Sequence, residues 1–298
     1  PPLRPFRRNF ILPSDHPLRS IPNIAHPRGL GFQGSLWSRE LHGAGKSFQM
    51  PPQRETISLH DANLLIQVTD DQSRTLIRRD SEVAYHSGSG AASETTHVYL
   101  GNSAVANRLQ AGQPTSVLEI GFGTGLGMLM TLDAAVTAGT PLRYESIEYE
   151  LLSSKVLSQL QLGQFLRKPQ LVDAFFEWFD SLGPTVPPGR HRWQPDDRQT
   201  LWLTHGDART IDFSTIEPVD AIYFDPFAPS ENPDLWKPDF LKKLRGRLNT
   251  DGRLVTYAVS REVRDSFAQA GFEVQRVPGP PAGKREVLIA RLSASQTV

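Results

Sequence analysis

The sequence predicts an α/β fold built on a mainly parallel sheet, and three observations predict it. An apolar run, Val117-Leu118-Glu119-Ile120, ends in alternating glycines at Gly121, Gly123 and Gly125, and a second apolar stretch starts at Leu126. That order reads as strand, tight turn, helix. From residue 115 onward, strand-like runs alternate with helix-like segments, the pattern of parallel strands joined by crossover helices. The chain has 298 residues and is 38% apolar, enough for one large α/β domain or two small ones with a sizeable core.

Taken in order, residues 1–50 hold seven prolines and scattered arginines with no sustained period. Residues 1–53 therefore read as a Pro-rich, partly disordered N-terminal arm, and 54–298 as the folded domain. Within it, 54–112 form a hairpin and substrate-loop region and 113–298 the sheet core. Leu64-Leu-Ile-Gln-Val, Thr69-Asp-Asp-Gln-Ser and Thr75-Leu-Ile-Arg-Arg read as strand, turn, strand. A polar loop through Tyr85-His86-Ser87-Gly88 leads to a short helix from Ala91 to Leu100. The core strands are expected at Val117–Ile120, Leu142–Glu148, Leu201–His205, Val219–Phe224 and Arg253–Val259. Helix Arg261–Ala270 ends at Gly271, a good C-cap. Phe272–Val277 and Arg285–Leu292 close the chain as an antiparallel pair. Between the second and third strands, about 151–200, lies a stretch too long for a simple crossover. It reads as a helical cap, with helices at Leu151–Leu166 and Leu171–Leu182. The second carries Phe175, Phe176, Trp178 and Phe179, an aromatic face at helical spacing that reads as core, with a base-stacking platform as the sharper alternative.

Composition narrows the function. Residues 1–50 carry seven Lys and Arg against two Asp and Glu, out of 32 of each in the chain, so residues 51–298 carry a formal −5. That balance argues against a dominating basic face. With no cysteine, no disulfide, thiolate nucleophile or cysteine-bound metal can form, which suits a cytoplasmic location. No apolar run approaches the ~18 residues of a membrane span, and residues 1–30 lack the apolar core of a secretory leader.

The glycine spacing is Gly-x-Gly-x-Gly. The dinucleotide fingerprint would place its third glycine at Leu126, whereas the shorter spacing is usual for S-adenosylmethionine. In open α/β sheets ligands bind beyond the carboxyl ends of the strands, and three acids are expected there. Glu148 can accept ribose hydroxyls. Asp207, after Gly206, can read an adenine amine. Asp225 ends the fourth strand beside the glycine turn. The run Asp225-Pro226-Phe227-Ala228-Pro229 is similar in part to the Asp/Asn-Pro-Pro-Tyr/Phe signature of enzymes that methylate exocyclic amines on nucleic-acid bases. Methyl transfer needs an amine lone pair, and an alkyl amine is mostly protonated at pH 7, by analogy with lysine at roughly 10.4. A carboxylate next to the methyl can orient the amine and take its proton, so Asp225 is the catalytic candidate.

Further blocks run in order through residues 60–292: Thr69-Asp-Asp; Tyr85-His-Ser with Gly90-Ala91, Glu94 and His97-Val-Tyr-Leu; Gly121-Phe-Gly-Thr-Gly-Leu; Ile147-Glu148; His205-Gly-Asp207; Phe224-Asp225 with Phe227-Ala-Pro; Asn232-Pro-Asp-Leu-Trp236; Ala270-Gly-Phe-Glu; and Gly283-Lys-Arg-Glu-Val-Leu. Together they resemble the methyltransferase domain of the MnmC family. The resemblance implies a class I S-adenosylmethionine-dependent methyltransferase fold, Rossmann-like with a seven-stranded sheet, here with an N-terminal hairpin extension and a helical cap insertion. It implies methylation of the primary amine of 5-aminomethyl-2-thiouridine at the tRNA wobble position, giving 5-methylaminomethyl-2-thiouridine and S-adenosylhomocysteine. The stand-alone form without the flavin oxidase half is expected, hence no FAD, no metal, no membrane and no obligate protein partner besides tRNA.

Carried over, the cofactor would be lined by Glu119, Gly121, Phe122, Gly123, Gly125, Leu126, Glu148, Tyr149, Gly206, Asp207, Ala208 and Asp225. Tyr85, His86, Phe227, Lys284 and Arg285 would form the nucleotide side. Pro226 departs from the family's usual Gly or Ala, and Pro280-Pro281 from its usual approach to Gly-Lys-Arg. Two alternatives share the motifs: an N-methyltransferase for a small-molecule or protein amine, and a cofactor-binding module without turnover.

Overall fold

The computed structural model describes residues 54–59 and 63–293. The arm expected at 1–53 lies outside the described residues.

The N-terminal part is a small antiparallel sheet of β1 (Thr56–Ser58), β2 (Leu64–Val68) and β3 (Arg74–Arg78), in that order. The expected hairpin is present, with Leu64 opposite Arg78 and Ile66 opposite Leu76. That last pair is fully buried, so alternation along the two strands fixes which face turns inward. The β2–β3 turn is a polar knot around Asp71. Its Oδ1 accepts from Ser73 N at 3.0 Å and Thr69 Oγ1 at 2.8 Å. Its Oδ2 accepts from Ser93 N at 2.8 Å and Ser93 Oγ at 2.7 Å. Burial alone would raise this carboxyl, but the bonds from Ser73 and Ser93 outweigh it and hold the group at about 2. Asp71 thereby ties the hairpin to α1 (Ala91–Glu94), which runs on as a π-helical stretch, Thr95–Gly101, before α2 (Val105–Gln110).

The core follows as β4 (Thr115–Ile120), α3 (Leu126–Ala138), β5 (Leu142–Glu148), α4 (Ser154–Leu157), α5 (Gln170–Ser181), β6 (Gly189–Trp193), β7 (Gln199–His205), β8 (Val219–Phe224), α6 (Pro238–Arg245), β9 (Leu248–Thr256), α7 (Arg261–Gln269), β10 (Phe272–Pro278) and β11 (Glu286–Leu292). Their sheet order is β10-β11-β9-β8-β4-β5-β7-β6. Strands β9, β8, β4, β5 and β7 are parallel neighbours, and β11 runs antiparallel between β9 and β10. Both faces are covered, as a parallel sheet requires. Along β4 the alternation is visible: Val117 joins the core under α3 and α5, and Leu118 joins the core under α6 and α7.

Two expectations need correction. The sheet has eight strands, not seven, because β6 adds an antiparallel edge to β7 inside the segment expected to be helical. Its Arg190 and Arg192 hide the strand pattern from the sequence, while Trp193 is buried and stacks on Trp178 of α5 at 5.6 Å. The helix expected at Leu151–Leu166 is only α4 and two 3₁₀ turns, Ser158–Leu160 and Leu162–Phe165, broken at Gln161 with φ +53°. The aromatic face of α5 is core, with Phe175 and Phe179 buried. Phe175 also lies 6.2 Å from the Phe122 ring, so the cap supports the glycine turn.

Candidate active site

A cavity of about 520 Å³ opens at the carboxyl ends of β4, β5, β7 and β8. One side is built by the glycine turn and the acids that follow. Gly121 has φ +96°, and a Cβ there would lie 2.6 Å from the Asp225 carbonyl oxygen. Only glycine lets β4 leave the sheet while Asp225 N donates to Ile120 O at 2.9 Å. At Gly127, on α3, a Cβ would lie 2.5 Å from Glu119 Oε1, so this glycine makes room for a buried acid. Glu119 accepts from Ser146 Oγ at 2.6 Å, and burial pushes its carboxyl up to about 8. Glu148 ends β5, where its Oε2 accepts from Gly123 N at 3.0 Å and its Oε1 from Glu150 N at 2.8 Å. Burial still raises it above the usual carboxylate range. Each oxygen keeps a lone pair, so the carboxylate can still take two hydroxyls. Asp207 follows β7, and a bidentate Arg209 (2.7 Å between Nη2 and Oδ2) holds its carboxyl low.

The other side comes from distant segments. Asp225 leaves β8 and lines the cavity beside Tyr99 and Lys284. Burial raises its carboxyl well above the usual range; the Tyr99 hydroxyl and Lys284 pull the other way, and Glu94 and Glu119 add to the rise. Tyr85 meets Phe227 edge to face at 5.1 Å, and the Arg78 guanidinium lies 4.7 Å over the Phe227 ring. Arg78 also pairs with Glu150. Lys284 Nζ sits 3.7 Å over the Tyr257 ring and 3.8 Å from Glu94 Oε1. Tyr257 donates to Pro226 O at 2.9 Å, fastening the Asp225–Ala228 turn. His86 lines the cavity with Nδ1 3.1 Å from Thr75 Oγ1, and burial lowers its pKa, which keeps it neutral.

The structure thus brings together Tyr85, His86, Glu119, Gly121, Phe122, Gly123, Glu148, Tyr149, Gly206, Asp207, Ala208, Asp225, Phe227 and Lys284 around one space. Gly125, Leu126 and Arg285 do not line it. Leu126 opens α3 and is buried in the core, Gly125 lies behind the Phe122 ring, and Arg285 is exposed next to Lys284. Arg78, Glu94, Tyr99, Arg209 and Tyr257 line the cavity without having been assigned to it. Glu94 and Tyr99 stood inside recognised blocks; the other three carried no signal of their own.

Comparison with known proteins agrees with this geometry. A family described as S-adenosyl-L-methionine-dependent methyltransferase matches residues 172–293. A tRNA 5-methylaminomethyl-2-thiouridine biosynthesis bifunctional protein MnmC of Ralstonia nicotianae is 31% identical over 207 residues, 69% of this chain and 31% of that protein. Its namesake in Aromatoleum aromaticum is 33% identical over 210 residues, 70% of this chain and 32% of that protein. The crystal structure of MNMC2 from Aquifex aeolicus superposes with a TM-score of 0.59 at 26% identity, covering 77% of this chain and 70% of that one. This chain carries an MnmC-family methyltransferase domain. It spans about a third of the length of the curated MnmC proteins it matches. The MnmC resemblance and the S-adenosylmethionine-dependent α/β fold expected from the sequence are both borne out. Among the described residues, no helix is long and apolar enough to cross a membrane, and no cluster of three or more His, Cys, Asp or Glu is placed to hold a metal ion.

Proposed function

We propose that this domain methylates the primary amine of 5-aminomethyl-2-thiouridine at the tRNA wobble position, in the cytoplasm, with S-adenosylmethionine as donor. The observation that carries the reading is a single cavity joining the Gly121–Gly123 turn and Glu148 to Asp225 and the Tyr85–Phe227 wall. The residues fit the donor: Gly121 leaves a cradle that a side chain would fill, and Glu148 keeps lone pairs for ribose hydroxyls. When bound, S-adenosylmethionine supplies a methyl group activated by a sulfonium charge. Asp207 would face the adenine amine once it shares or yields Arg209. Phe227 and Tyr85 would hold the uridine ring, with Arg78 behind it.

Asp225 supplies the proton chemistry. In the ligand-free cavity, burial favours its neutral form. Two positive charges arriving beside it, the sulfonium and the substrate ammonium, favour the ionised form. The carboxylate then takes one ammonium proton, leaving the nitrogen lone pair free to form the new N–C bond as the sulfonium S–C bond breaks and its electron pair leaves with sulfur as the neutral thioether. The glycine turn and the aromatic wall supply positioning, which is worth more than the proton transfer itself.

The test is methyl transfer from labelled donor to bulk tRNA. RNA from a strain lacking this activity should accept label, and RNA from its parent should not. Nucleoside mass spectrometry should show the unmethylated aminomethyl uridine in the deficient strain. Equal labelling of both RNAs, or none, overturns the reading.

A further inference from the structure

Tyr99 lines the cavity, and its polar atom has no role in the reading above. It lies on the π-helical stretch Thr95–Gly101, is 3% exposed, and packs its ring on Tyr223 at 5.4 Å. Its hydroxyl is buried and makes no well-aligned hydrogen bond among the described residues, but it lies close enough to the Asp225 carboxyl to favour that group's ionised form. A buried hydroxyl left poorly paired is costly, so its retention calls for a better partner. It faces the cavity beside the Asp225 carboxyl. π-helical turns recur at functional sites, and here the turn carries a tyrosine to the reacting acid.

We propose that Tyr99 is a positioning residue that donates its O–H to Asp225 when that carboxyl ionises, fixing which oxygen remains to receive the substrate proton. The inference rests on the proposed role of Asp225 as base. In the ligand-free protein burial favours the neutral carboxyl, a weaker acceptor than a carboxylate, so the Tyr99 hydroxyl gains its strongest hydrogen bond only on ionisation. Ionisation creates two acceptor oxygens. Tyr99 satisfies one, and the amine meets the other. Burial drives the phenol pKa well above its ordinary value, so it stays a donor through the assay range. The other groups facing Asp225 are Glu94, Glu119, Lys284, Tyr144 and Tyr257. Lys284 offers a competing positive charge, but it is already held over Tyr257 and near Glu94.

The experiment is the pH profile of kcat for Tyr99→Phe, at saturating donor and with tRNA from the deficient strain, next to Asp225→Asn. Removing a hydrogen bond to a charged group should move the acid limb up by about one pH unit. The alkaline plateau should fall only a few-fold, and donor affinity by calorimetry should stay unchanged. Because the hydroxyl makes no well-aligned hydrogen bond in the ligand-free protein, Tyr99→Phe should change the melting temperature little. An acid limb that does not move, with equal loss of rate at every pH, reduces Tyr99 to a packing residue and overturns the proposal. If Asp225→Asn also turns over normally, the base assignment itself falls, and the role of Tyr99 with it.

Discussion

The two halves of the cavity are assembled in opposite ways. The half proposed for the donor is mostly local: β4, the glycine turn and the tip of β5 lie within residues 115–148, with Gly206–Ala208 after β7 added, and backbone amides such as Gly123 N shape it. The acceptor half collects Arg78, Tyr85, Glu94 and Tyr99 from before the sheet, Asp225 and Phe227 from its middle, and Tyr257 and Lys284 from its end. On the proposed reading, local construction would make the donor half tolerant, because several weak contacts would share the ligand. Distributed construction makes the acceptor half depend on single side chains.

That contrast predicts a hierarchy of losses. Asp225→Ala should cut turnover at least about a hundredfold, the range of a lost general base, while donor affinity stays near parental. Steady-state rates and calorimetry on one preparation check both, and unchanged turnover would break the contrast at its strongest point. Glu148→Gln should weaken donor binding about ten- to thirtyfold, the worth of a charge-assisted hydrogen bond, with the tRNA KM unmoved. A change in tRNA KM alone would show that the halves are not separable. The third prediction concerns Glu119 and reads stability rather than turnover. Its folded pKa of about 8 lies above the unfolded value, so the native state holds a proton that the unfolded chain has lost. Stability should therefore fall as pH rises between about 4.5 and 8, by up to about 1.4 kcal/mol per pH unit, or a few degrees of melting temperature. Glu119→Gln should flatten that slope in melts of the ligand-free protein; an identical slope would remove Glu119 as its source.

The same contrast explains what was readable. Gly121, Glu148, Asp207 and Asp225 announce themselves, since a strand end followed by glycine or acid is a pattern over a few residues. The hairpin at Leu64–Arg78 is equally local, and its strands match the expected spans to within a residue. Tyr99 and Tyr257 look like ordinary core aromatics until the chain folds, and Arg78 looks like a solvated strand residue. Strand β6 was hidden for a related reason: its Arg190 forms an ion pair with Glu145 of β5 and lies 4.6 Å over the Trp202 ring, contacts made across the sheet. Gln161 broke the expected cap helix through a backbone conformation that its residue type does not advertise.

The Asp71 knot has a consequence for how such a domain changes over time. By fastening the β2–β3 turn to the first residues of α1, it makes the hairpin and the following helix a single plug that supplies Arg78, Tyr85, Glu94 and Tyr99 to the cavity wall. A plug can be recut for a differently shaped guest while the floor that handles the methyl donor is left untouched. Selection can thus reshape the guest-facing wall through residues 64–101 as one inherited package.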